Sequence, residues 1–210
     1  MKTALDYFEA INKKTAASKD FNKIKRLFGK YRLKISNNYD AIELARRGLP
    51  NSLTDELYES IDSYDLRYRT IVLDILICSK FNKQILAKYI IDIIYKTIDD
   101  DIDQDLTWFF CDDLRMLKQL RYTDCYIEML SFEKLGSARQ LIVDLLACSN
   151  KNINDTIVSY IDDYDLTGHI LEFLYKRNYK NILELAVKYT NDDREYVRNV
   201  ANAIIMDIKS

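Results

Sequence analysis

Asp112 and Asp113 follow Trp108 by one helical turn, a spacing that sets two carboxylates beside an indole ring. A few residues earlier, Asp99, Asp100, Asp101, Asp103 and Asp105 crowd five carboxylates into seven positions, the kind of donor set hard cations prefer. That run lacks the mid-loop glycine and closing glutamate of an EF-hand loop, and aspartate near a helix start is favoured by the helix dipole alone. We read it as a solvated connection and expect neither metal nor cofactor. His169 is the only histidine, so a His-rich metal site or an HExxH motif cannot be built, and any Cys–His or Ser–His pair would need that one ring. The phosphate-cradling patterns GxGxxG and GxxxxGK[ST] are absent from the sequence. Cys78, Cys111, Cys125 and Cys148 form no CxxC pair, and the expectation is buried, reduced thiols.

Charge is unevenly spread. Residues 1–50 hold 12 Lys/Arg against 5 Asp/Glu, whereas residues 51–113 hold 6 against 14. Lys23, Arg26, Lys30 and Lys34 fall near one face of a predicted helix, with Lys13 and Lys14 upstream, as either a solvated face or a stripe for nucleic acid. Tyrosine is abundant, at 16 residues, and suits binding surfaces because it brings large contact area at low entropic cost. Two tyrosines sit in near-identical acidic turns, Asp62, Tyr64 and Asp65 in IDSYDL, and Asp162, Asp163, Tyr164 and Asp165 in IDDYDL. They either dock against a basic protein or pack beneath their own turns.

What must position these residues is helix. Glycine occurs only at 29, 48, 136 and 168 and proline only at 50, so strand and hairpin punctuation is nearly missing. Apolar residues recur with helical spacing almost throughout, predicting helices over 3–13, 20–34, 39–48, 53–62, 66–80, 83–98, 105–120, 123–134, 137–149, 153–162, 167–177, 180–190 and 193–208. Short Asn-, Asp- and Ser-bearing connections cap the helix starts and force consecutive helices to be antiparallel neighbours. One segment is written twice, RTIVLDILICSK from Arg69 and RQLIVDLLACSN from Arg139. No apolar run approaches the length of a membrane span, and the first residues hold acids and Asn where a secretory segment would be apolar, so a cytoplasmic protein is expected.

A third arginine of this kind, Arg198 in EYVRNVANAI, follows Asp192-Asp193 and precedes Ala201, Ala203 and Ile204. That stretch resembles the second helix of a HEAT repeat, with the form V-R-x-x-A-x-x-A-L after an Asp-rich turn. Ala138-Arg139 with Ile142, Leu145 and Leu146, and Tyr68-Arg69 with Val72, Ile75 and Leu76, fit the same pattern; GHILEFL at 168–174 fits less well, and DQDLTWFF at 103–110 less again, which makes Trp108 a core residue of an irregular repeat. The resemblance implies an all-α fold, a right-handed α-solenoid of antiparallel helix pairs with about 12–13 helices. It implies one domain over 1–210, with basic helices in 1–50 and about five pairs in 51–210. It also implies that Arg69, Arg139 and Arg198 bond to turn aspartates of neighbouring repeats.

Solenoids mostly hold other macromolecules. The expected function is therefore non-catalytic protein binding through the acidic middle and its Tyr/Asp turns, in the manner of a bacterial immunity or antitoxin-like inhibitor of a basic partner. The alternative is nucleic-acid binding, extending to an alkylpurine DNA glycosylase-like enzyme centred on Asp112 or Asp113, because some HEAT-like proteins are glycosylases that use an Asp beside aromatic rings.

Overall fold

The computed structural model describes residues 18–98 and 104–209. The predicted helix 3–13, Lys13 and Lys14, and the candidates Asp99, Asp100, Asp101 and Asp103 lie outside them. Among the described residues the structure is all-α, with twelve helices and no strand. The helices are α1 (Lys19–Lys30), α2 (Asn38–Arg47), α3 (Asn51–Glu59), α4 (Leu66–Cys78), α5 (Lys83–Thr97), α6 (Gln104–Leu117), α7 (Thr123–Met129), α8 (Arg139–Leu146), α9 (Asn154–Val158), α10 (Thr167–Lys176), α11 (Ile182–Lys188) and α12 (Glu195–Lys209). Contacts group the chain into two compact units, residues 1–89 and 90–210. No described helix is long and apolar enough to cross a membrane.

In the N-terminal unit each helix start has a sequence cause. The Ser18 hydroxyl accepts from the Phe21 amide at 3.0 Å, the Asn37 side chain from Asp40 at 2.9 Å, and the Asp65 carboxylate from Tyr68 at 2.9 Å, each satisfying an orphan N–H of the first turn. Helix α1 packs on α3, and α2 and α3 pack on α4. The face buried on α4 comprises Tyr68, Val72, Leu73, Ile75, Leu76 and Ile77. In the C-terminal unit α6 packs on α8, α8 on α10 and α10 on α12, while α7, α9 and α11 pack on α8, α10 and α12 in turn.

Several predicted helices are shorter than their apolar rhythm. The helix drawn over 20–34 stops at Lys30, because Arg32 adopts φ 59° and the Leu33 amide turns back to the Phe28 carbonyl at 3.1 Å. Lys118 at φ 51° ends α6 in the same left-handed way. The helix drawn over 123–134 ends at Met129, and Glu133–Ala138 follows as a 3-10 segment with Gly136 at φ 51°. Apolar side chains beyond these breaks keep their burial, as Ile35 does, so periodicity alone reads through the break.

The expectation of buried thiols holds only for Cys111. Cys148 is exposed, and Cys78 and Cys125 are half-buried. Cys78 is the last residue of α4, and Cys148 lies past the end of α8, where the chain leaves the apolar stripe. Trp108, expected in the core, is 40% exposed, since α6 buries Leu106, Phe110, Leu114 and Leu117 instead.

The three repeat arginines do different work. Arg139 is 4% exposed; its guanidinium donates to the carbonyls of Leu130 (3.0 Å) and Gly136 (3.1 Å) and to the Asp163 carboxylate at 2.7 Å, with Asp165 at 3.5 Å. It thus ties α8 to the turn before α10. Arg69 instead binds its own preceding turn, donating to the carbonyls of Tyr64 and Asp62 and pairing with the Asp62 carboxylate at 2.9 Å. Arg198 donates to the carbonyls of Asp192 and Asp193. Removing one partner of a buried pair strands the other, whereas an exposed pair contributes little. Arg139→Met should therefore destabilise by roughly 2–4 kcal/mol and Arg69→Met by less than about 1 kcal/mol, read from urea unfolding midpoints.

Candidate functional site

The two acidic turns recur with the same internal partners. The Tyr89 hydroxyl donates to the Asp62 carboxylate at 2.8 Å, and the Tyr189 hydroxyl to Asp162 at 2.8 Å, each across 27 residues. A cation covers the turn tyrosine in both, Lys23 Nζ 5.1 Å from the Tyr64 ring centre and the Arg194 guanidinium 4.5 Å from that of Tyr164. Each cation also donates to the turn backbone, Lys23 to the Ser63 carbonyl at 2.7 Å and Arg194 to the Tyr164 carbonyl. Behind each cation stands an acid. Lys23 pairs with Asp20 at 2.7 Å and Arg194 with Asp192 at 2.7 Å. The Arg194 guanidinium holds the Asp192 carboxyl well below the usual carboxylate range. Burial pushes Asp20 up, but the Lys23 ammonium and the Asp65 amide outweigh it and leave it lowered.

These turns are accordingly committed to holding their own unit together. Tyr64 is 4% exposed, whereas Tyr164 is 69% exposed, so only the second presents its ring outward. Asp62 keeps an exposed carboxylate, Asp163 and Asp165 are bound to Arg139, and Asp65 caps α4.

Of the basic candidates, Lys23, Arg26 and Lys30 lie on α1. Lys23 is bound to its turn, and Lys30 is bridged to Glu56. Lys34 lies beyond the end of α1, and Arg26 is exposed on it.

A different surface emerges in the C-terminal unit. Asp144 of α8 meets the His169 ring of α10 at 3.3 Å, the His169 ring lies 5.4 Å from the Tyr196 ring of α12, and the Tyr196 hydroxyl donates back to Glu172 of α10 at 2.9 Å. Lys176 pairs with the other oxygen of Glu172 at 3.2 Å, and the Tyr175 hydroxyl donates to Asp207. The partners rise together in number along α8, α10 and α12, so these helices run parallel. Gly168 permits the close approach: a methyl there would fall 2.4 Å from Tyr196 Cε1. Exposed large side chains in this unit include Trp108 and Met116 on α6 and Tyr196 and Met206 on α12.

The carboxylates suspected of catalysis are otherwise engaged. Arg115 donates to Asp112 through Nε at 2.9 Å and through Nη2 at 2.5 Å. Asp113 is buried, one residue-pair on from Cys111, whose thiol burial pushes up to about 12. No group of three or more His, Cys, Asp or Glu among the described residues is placed to hold a metal ion.

Sequence reading missed a cavity of about 410 Å³ in the N-terminal unit, lined among others by Asn51, Asp55, Tyr58, Glu59, Lys80 and Phe81. Its walls come from α3 and from the connection after α4, and no motif spacing joins them. The Tyr–Asp pairs were findable, since Tyr89 and Tyr189 follow their turns at the same distance. No protein-family model, curated protein or solved structure matches this chain.

Burial, and after it the bonded carboxylate, raises the hydroxyls of Tyr89, Tyr189 and Tyr196 above their ordinary value of 10.0, that of Tyr189 to about 12. The unfolded chain therefore loses these protons first, so stability is full below pH 10 and falls as pH rises through the folded values. Phenolate absorbance at 295 nm should appear for these residues together with unfolding above pH 10. Gly168→Ala should displace the Tyr196 ring, destabilise by about 1–3 kcal/mol and release one tyrosine to titrate at the ordinary pH.

Proposed function

We propose that the chain is a non-catalytic, HEAT-like helical-repeat module that holds another protein against the outward side of α6, α8, α10 and α12. The observation carrying this reading is the exposure of four large apolar side chains, Trp108 and Met116 on α6 and Tyr196 and Met206 on α12. Aromatic and thioether side chains are over-represented where proteins bind, and the excess of acids in residues 51–113, 14 Asp/Glu against 6 Lys/Arg, favours a basic partner. Support for an α-solenoid comes from the alternation in the C-terminal unit, where every second helix stacks on the one two places before it. An immunity-type inhibitor of a basic protein fits that chemistry.

Nucleic-acid binding draws less support, because Lys23 and Lys30 are spent on in-chain partners. A glycosylase-like reaction at Asp112 would need a carboxylate that Arg115 now holds.

The reading is tested by chemical cross-linking and capture with the whole chain in lysate of its source cells. A stoichiometric protein should be recovered, and the Trp108→Ala, Tyr196→Ala double variant should hold it at least tenfold more weakly, since truncating a central interface aromatic costs about 2 kcal/mol. Glu184→Gln, on exposed α11, should leave capture unchanged. Recovery of nucleic acid alone, or equal capture by the double variant, would overturn it.

A further inference from the structure

The cavity in the N-terminal unit lies along α3, from Asn51 to Glu59, and against the chain that leaves α4 and enters α5, from Lys80 to Ile85. One wall is aromatic, with the Tyr58 ring 4.9 Å from that of Phe81 and edge-on to Tyr89 at 6.0 Å. Asp55 and Glu59 stand on α3 with Tyr58, four residues apart and therefore on one side of it; both are exposed and neither is ion-paired among the described residues. Lys80 contributes the one cation in the lining, so the lining carries two carboxylates against one ammonium.

The C-terminal unit shows how this chain holds a guanidinium at one of its helix junctions. Between the start of α9 and the chain that leaves α10 sits Arg177, a residue of the chain itself. Its guanidinium lies 5.3 Å from the Phe173 ring centre and donates to Asn154 Oδ1 at 2.7 Å, to the Lys151 carbonyl at 2.6 Å and to the Ser149 carbonyl. Asn154 opens α9 as Asn51 opens α3. No arginine lines the cavity of the N-terminal unit, which offers aromatic faces and carboxylates.

From this we infer that the cavity seats an arginine side chain of a partner polypeptide, an inference that rests on the protein-binding reading above. A planar guanidinium stacks on an aromatic ring while its fork of N–H donors meets a carboxylate, which a metal ion or an anion cannot do. At about 410 Å³ the cavity is within the range of small-ligand sites, larger than needed for a single ion. Lys80 at the edge weakens the attraction and is placed to meet the peptide's carbonyl oxygens.

The test is titration of the full chain with an acetylated, amidated Gly-Arg-Gly peptide, followed by the amide resonances of Asn82 and Ile85. Saturable shifts are expected. They should weaken about tenfold or more in the Asp55→Asn, Glu59→Gln variant, through loss of charge-assisted hydrogen bonds, and strengthen in Lys80→Ala. The Gly-Lys-Gly peptide should bind several-fold more weakly, and free guanidinium ion should not saturate at the same concentration. Because both acids are exposed, an unchanged thermal unfolding curve shows that the variants still fold. Peptide shifts that ignore loss of the acids, or inorganic phosphate binding that Lys80→Ala abolishes, would overturn the inference. Capture that survives while the peptide fails rejects the cavity alone; a seated peptide with no captured protein rejects the face on α6 to α12 alone.

Discussion

A helix cannot satisfy its own last carbonyls, and at several junctions among the described residues cations inserted into the turns meet that need. Arg139 is the clearest case, because its head is buried and answers two carbonyls and a carboxylate at once. A guanidinium in such a place is tolerable only when fully bonded, and it then fixes the turn's position relative to the helix it comes from. Arg177, Arg194 and Lys23 do the same at other junctions with aromatic rings beneath them. Helix packing supplies the apolar burial; these cations pin the turns into which they reach.

That arrangement changes the meaning of the acidic turns. Carboxylates and tyrosines that look like a docking motif in one dimension are, in three, the acceptors for Arg69, Arg139 and the hydroxyls of Tyr89 and Tyr189. Large side chains that this bonding leaves exposed include Trp108 and Met116 on α6 and Tyr196 and Met206 on α12.

The all-helical fold was legible because apolar side chains at helical spacing leave no other way to bury them, and because Ser18, Asn37 and Asp65 are cap residues by type. Helix ends were less so. Arg32 and Lys118 adopt left-handed backbone where glycine would be expected, so nothing in their identity announces the break. The face built from Asp144, His169, Glu172 and Tyr196 was illegible for another reason. It joins residues 24 to 25 apart on three helices, and only the packing distance permitted by Gly168 brings them within reach. Burial of a cysteine likewise depends on where a helix stops, which is why the duplicated Cys78 and Cys148 differ from the expectation drawn from their apolar neighbours.

Trp108 is the single tryptophan among 16 tyrosines, and it stands on the surface and not in the core. Its fluorescence is therefore a local gauge of water around α6, fed by energy absorbed at many tyrosines through the chain. A molecule settling over Trp108 would shift the emission to shorter wavelength without any change in fold, so α6 carries its own optical reporter.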